Sequence, residues 1–87
     1  MMELKDTVEG MTSPDYKERF KAEYQQTKIR YKKLKRFCNK IELAAIKAEE
    51  EEPEHDCPLD LLREQQNIMR HYLRLLKLRA VIEKIEL

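Results

Sequence analysis

From Phe20 onward, apolar and small residues recur at alternating intervals of four and three: Phe20, Tyr24, Thr27, Tyr31, Leu34, Cys38, Ile41, Ala45 and Ala48. Heptad spacing sustained over about four repeats predicts one long helix with a single seam for a partner helix. The seam narrows from aromatic to alanine, so a partner comes closest near Ala45 and Ala48. Ser13-Pro14-Asp15 opens the helix. Ser13 is placed to cap free backbone N–H groups, Pro14 loses no hydrogen bond in the first helical position, and Asp15 and Glu18 suit the positive end of the helix dipole. The expected span is residues 13–52. Fraying is expected over Glu49-Glu50-Glu51-Glu52, which sit at the negative end, and Pro53 ends the helix.

Glu54-His55-Asp56-Cys57 then reads as a tight turn, and Pro58 opens a second helix. Its apolar positions (Leu61, Leu62, Ile68, Met69, Tyr72, Leu73, Leu75, Leu76, Ala80) cover about half its circumference, whereas one partner needs only about 100°. After Leu78 the apolar side rotates to Val81, Ile82 and Ile85. Gln65 falls on the seam-facing arc as a register-setting polar group. Antiparallel pairing about the turn would place Ile41 near Met69, Cys38 near Tyr72, Leu34 near Leu76 and Tyr31 near Arg79. Tyr16, Phe20 and Tyr24 would then overhang into water. A lone two-helix pair of this size buries too little apolar surface to offset chain entropy. The expected fold class is therefore all-α: an antiparallel two-helix hairpin, long first helix and shorter second, assembling into a homo-oligomeric helical bundle, most simply a dimer of four helices. Residues 13–87 form the hairpin domain. Residues 1–12 form a flexible N-terminal arm or a single helical turn, which could dock through Leu4, Val8 and Met11.

Composition agrees with this outline. Of 87 residues, 40% are charged and only one is glycine, which suits long helices and argues against an all-β fold. Cys38 and Cys57 would lie roughly 20 Å apart along the hairpin, too far for a bond, so both read as free thiols in a reducing, cytosolic setting. No apolar run is long enough to span a membrane and no secretory signal is present. His55-Asp56-Cys57 could supply half a zinc site, but His71 lies roughly 20 Å along and the tripeptide reads as a structural turn. No nucleophile set, glycine-rich phosphate loop or paired acid in an apolar pocket occurs. The expectation is a protein that is not an enzyme and needs no cofactor.

Charge carries the one chemical lead. Residues 15–40 hold ten Lys and Arg against three acids, while residues 41–60 hold Lys47 against eight acids. Lys28, Arg30, Lys32, Lys33, Lys35, Arg36 and Lys40 crowd together, and Arg70, Arg74, Lys77, Arg79 and Lys84 fall alongside when the second helix returns. Like charges meeting in this way cost stability unless an anion occupies the region. Four readings are open: a solvated helix face, a nucleotide or other phosphate ligand, a long nucleic acid, or an acidic protein partner. The acidic tip disfavours a continuous nucleic-acid strand.

Several stretches resemble a known group. Ser13-Pro14-Asp15-Tyr16-Lys17-Glu18-Arg19-Phe20, Glu23-Tyr24, Leu61-Leu62-Arg63-Glu64-Gln65, Met69, Tyr72-Leu73 and Leu76-Lys77-Leu78-Arg79-Ala80-Val81-Ile82-Glu83 are similar to small bacteriophage helical proteins related to the crAss-like phage family. The resemblance implies a phage gene product in the host (bacterial) cytoplasm, acting against host defence without catalysis. Such proteins either block a host defence protein or hold a nucleotide immune signal in pockets between subunits. On that expectation the ligand is a cyclic nucleotide, bound between subunits by Tyr16, Arg19, Tyr24, Lys28, Tyr72 and Arg79, with Arg clamping phosphate and Tyr stacking on the base. The alternative is a protein-binding inhibitor or coiled-coil adaptor that blocks a host defence complex.

Overall fold

The computed structural model describes residues 2–47 and 51–87, and every regular element among them is helical. A 3₁₀ turn, Leu4–Thr7, leads into the short α1, Val8–Met11. The long α2, Tyr16–Ile46, and α3, Leu59–Glu83, follow. Together they form a rod of 49 × 24 × 21 Å. None of the helices is long and apolar enough to cross a membrane.

Helix α2 starts two residues later than the Ser13 cap predicts. Asp15 is the cap, its Oδ1 accepting the Lys17 N–H at 3.0 Å. Ser13 Oγ instead accepts the Asp15 N–H at 3.1 Å and braces the turn ahead of it. The helix also ends early, at Ile46, and Glu51 and Glu52 are not helical. A run of acids at a negative helix terminus opposes continuation. The seam residue Ala48, with Glu49 and Glu50, lies outside the described residues. Along the expected seam, Phe20, Tyr24, Thr27, Cys38 and Ile41 are buried and Tyr31 and Leu34 half-buried. Beyond Ile41 the pattern changes: Ala44 is buried and Ala45 exposed. An α-helix turns every 3.6 residues, not 3.5, so a straight helix rotates its contact line out of strict heptad register.

Helix α3 faces α2 through Gln66, Met69, Leu73, Leu76 and Ala80, a three-and-four spacing. The buried glutamine is thus Gln66, and Gln65 is exposed, because the inward seam is rotated by one position from the expected one. The Gln66 Oε1 accepts from Arg63 Nη1 at 2.6 Å. Arg63 also donates to Asn39 Oδ1 and pairs with Glu42, both at 2.9 Å. After Glu83 the chain reverses through Lys84 in the left-handed region, φ 57°. The Ile85 N–H then bonds back to the Ala80 carbonyl at 2.8 Å and buries Ile85. This six-residue wrap is the Schellman stop. It turns Ile85 into the core, away from the rotated apolar stripe it was expected to share with Val81 and Ile82.

The partners of α2 and α3 differ from the expected register. Tyr16 meets Glu83 and Arg79, Phe20 meets Arg79, and Glu42 meets Arg63, so partners descend along α3 as they ascend along α2. The tight-turn expectation had set Arg79 beside Tyr31, roughly 16 Å further along. The reason lies in the connection. His55 packs edge-on against Phe37, ring centroids 6.3 Å apart, so the chain has already travelled back along α2 by about nine residues, roughly 13 Å, before α3 begins. Phe20 and Tyr24, expected in water, are buried at 4% and 7% exposure. The overhang falls at the other end, where Ile46 is 80% exposed.

The segment before α2 takes the helical alternative and packs on α2, with Thr7 buried. Its contact face is Thr7 and Gly10, while Val8 is exposed. A Cβ on Gly10 would stand 2.8 Å from Ala22 Cβ, closer than two carbons can approach. The missing side chain lets the two helices touch.

Candidate functional site

The six residues singled out by sequence fall on two flanks of the α2–α3 pair. On one flank the Tyr16 hydroxyl donates to Glu83 Oε1 at 2.6 Å and accepts from Arg79 Nη2 at 2.8 Å. The Arg79 Nε donates to Glu83 Oε2 at 2.9 Å, and its guanidinium lies 5.1 Å from the Phe20 ring centre. Hydrogen bonding from Tyr16, followed by that from Arg79, holds the Glu83 carboxyl below its usual range. Each residue's own bond to Glu83 raises the Tyr16 phenol and the Arg79 guanidinium. On this flank too, the Tyr72 hydroxyl donates to Glu23 Oε2. Arg19 is engaged near the start of α2, Nη1 donating to the Ser13 carbonyl at 2.7 Å. Tyr16, Tyr72 and Arg79 are therefore held by carboxylates of their own chain, and Arg19 by a backbone carbonyl.

The other flank is different. Between α2 and α3 runs a groove of about 300 Å³ lined by Tyr24, Lys28, Tyr31 and Lys32 on one side and Arg70, Leu73, Arg74 and Lys77 on the other. Among the described residues lining it there is no carboxylate, and none of the five cations has an ion-pair partner among the described residues. Lys28 Nζ stands 5.8 Å from the centre of the Tyr24 ring, within range of a cation–π contact. The helical period explains the arrangement. Arg70, Arg74 and Lys77, at i, i+4 and i+7, share a face, while Tyr72 and Arg79 lie roughly 180° around the same helix. Lys28 and Lys32 are likewise one turn apart on α2.

Five cations around one recess repel one another, and an anion there would relieve that repulsion. Two arginines offer planar forks for phosphate oxygens and the lysines offer point charges. Lys32, Arg70, Arg74 and Lys77 belong to the basic region expected from sequence, and Tyr31 to the seam, but none of them is among the six expected contacts. The signal that could have selected them was the i, i+4, i+7 spacing of the α3 cations.

A second recess, of about 840 Å³, adjoins this groove and shares Tyr24, Lys28 and Lys32 with it. Its outer wall comes from the N-terminal segment, through Met2 and Leu4.

Comparison with known families places residues 14–82 within the model of the family described as Sequestin. No curated protein and no solved structure matches the chain.

Proposed function

The chain belongs to the Sequestin family, and from that premise we propose that it is a phage counter-defence protein that holds a small phosphorylated signal, a cyclic nucleotide, out of reach of a host defence system. The family's name speaks of holding a molecule rather than converting it. The single observation that supports a phosphorylated ligand is the α2–α3 groove, where five cations and two tyrosines gather with no carboxylate among the described residues of the lining. In this reading Tyr24 and Lys28 contact the ligand, joined by Lys32, Arg70, Arg74 and Lys77. Tyr16, Arg19, Tyr72 and Arg79 hold the helix ends and flank together. Residues 13–87 supply the groove as an antiparallel two-helix hairpin, acting in the bacterial cytoplasm without catalysis.

We further propose that the hairpin works as a homo-oligomer. Leu61, Ile68, Leu75 and Ile82 recur every seven residues on the outward side of α3, and all are exposed, Ile82 by 79%. Leu78, also exposed, joins them. A second helical seam on a helix whose first seam is already filled calls for another helix, most simply from a second copy. The alternative use of this stripe is docking on a host defence protein.

Titration calorimetry against a panel of cyclic nucleotides, with the native mass measured on the same sample, tests the proposal. Heat with one of the panel and a mass of two or more chains are expected. No heat with any member would remove the sequestering role. A monomer that captures a stoichiometric host protein would favour the inhibitor.

A further inference from the structure

Resting on the homo-oligomer reading, we infer that a second copy of this chain covers the outward stripe of α3, and that the two α3 helices lie antiparallel about a two-fold axis between His71 and Tyr72. Leu61, Ile68, Leu75 and Ile82 are all exposed and lie roughly opposite the residues that α3 turns towards α2. In the antiparallel register Leu61 meets Ile82 of the second copy and Ile68 meets its Leu75, so every apolar residue of the seam finds an apolar partner. A two-fold contact is self-complementary in this way. The apolar residues alone would allow a parallel pair as well, and charge decides between the two directions.

Glu64 falls in the stripe between Leu61 and Ile68, with Asp60 one turn before it, and both are exposed. The cation of this first half, Arg63, is engaged by Glu42 of α2 at 2.9 Å. The stretch from Arg74 to Arg79 holds three cations and no acid. Glu83 beyond it is engaged by Tyr16 and Arg79. Helix α3 is thus negative near its start and positive towards its end. A parallel pair would set Glu64 against Glu64 and Arg74 against Arg74. The antiparallel pair sets the acidic half of each helix against the basic half of the other, with Glu64 facing Leu78 and Arg79 of the second copy. A two-fold axis between antiparallel helices keeps like flanks on the same side. Both basic grooves then open on one face of the dimer, and both Tyr72–Arg79 flanks lie on the other. The grooves stand roughly 20 Å apart, about two Debye lengths at physiological salt, so they repel each other little.

The test uses the full chain in a Cys57→Ser background, where the buried Cys38 is the remaining thiol. Single cysteines along the stripe are oxidised, and the native mass is measured on the same samples. His71→Cys, beside the axis, should link to its own copy. Leu61→Cys and Ile82→Cys should each fail alone, because like positions lie roughly 30 Å apart along the pair. Co-expressed, they should link to each other, within the reach of about 7 Å between Cα atoms that a disulfide needs. Leu75→Glu should weaken association by about a hundredfold or more, since it sets carboxylates in the apolar seam. Circular dichroism should show that variant still helical, as Leu75 is exposed in the single chain; should it unfold, the cysteine pattern decides. Linking of Leu61→Cys alone means a parallel pair and overturns the inference while leaving the homo-oligomer. Undiminished association of a folded Leu75→Glu puts the contact on another face and overturns it likewise. A monomer at micromolar concentration, or a stripe occupied by a host protein instead, overturns the homo-oligomer as well. The ligand reading is judged separately, by the cyclic-nucleotide titration.

Discussion

His55 stands edge-on to Phe37, the ring planes at 87°, and this contact sets where α3 begins relative to α2. It ties the connection to the helix it runs beside. Phe37→Ala is expected to lower the unfolding free energy by about 1–2 kcal/mol, a half-buried ring costing less than a core one. Urea titration measures it, and an unchanged midpoint would show that the connection is held elsewhere.

The same histidine makes the contact pH-dependent. Its Nδ1 is 2.6 Å from the Cys57 carbonyl and its Nε2 3.2 Å from Glu52 Oε1. Both partners are acceptors, so the doubly protonated ring satisfies both, and the pKa is raised above 6.5, first by the Cys57 carbonyl and then by Glu52. Because the folded value exceeds the unfolded one, the contribution is complete below about pH 6.5 and fades as pH rises through the folded value. An NMR titration of the ring should show the raised value in wild type. The stability difference between wild type and His55→Gln should shrink from pH 5.5 to pH 8.5.

Arg63 joins the two long helices through Glu42, Asn39 and Gln66. Arg63→Ala would leave the buried Gln66 oxygen without its donor and cut the link to α2. The expected cost is about 1–3 kcal/mol. Gln66→Leu should rescue part of that loss in the double variant, since the buried polar atom is then gone. Chemical denaturation of the four proteins in the cycle gives the coupling directly.

How much of this was legible beforehand differs by element. The heptad from Phe20 to Ile41 located the α2 seam, because period alone decides which face is apolar. Asp15 rather than Ser13 as the cap, and the stop at Ile46, depend on competition between neighbouring signals within a few residues. The pairing register was not legible at all: it turns on a non-local ring contact, Phe37 with His55, that no local pattern encodes. The site followed suit. Lys28 and Tyr24 stood out by charge and ring, but with the register displaced their partners across the groove, Arg70, Arg74 and Lys77, were not selected. Tyr16 and Arg79 looked available because Glu83, which engages both, was not expected beside Tyr16.

Lys84 carries the one positive φ among the described residues other than glycine. A left-handed residue with a Cβ is strained and glycine is not. Lys84→Gly should therefore stabilise the fold by about 0.5–1 kcal/mol, offset slightly by the freer unfolded chain. A rise in the urea midpoint at unchanged slope is the expected readout, and a fall would mean that the lysine side chain contributes more than its backbone costs.

In the function proposed above the ligand binds the basic flank, whose groove cations have no ion pair among the described residues, and not the flank that Glu83 and Glu23 neutralise. This placement is tested most directly by titrating one cyclic nucleotide that binds wild type into Arg70→Ala/Arg74→Ala and, in parallel, into Tyr72→Phe/Arg79→Gln. Loss of two charge-assisted arginine contacts should weaken the first by about a hundredfold, and the second should bind within about threefold of wild type. Undiminished affinity in the Arg70/Arg74 variant, with loss in the Tyr72/Arg79 variant, would put the ligand on the opposite flank.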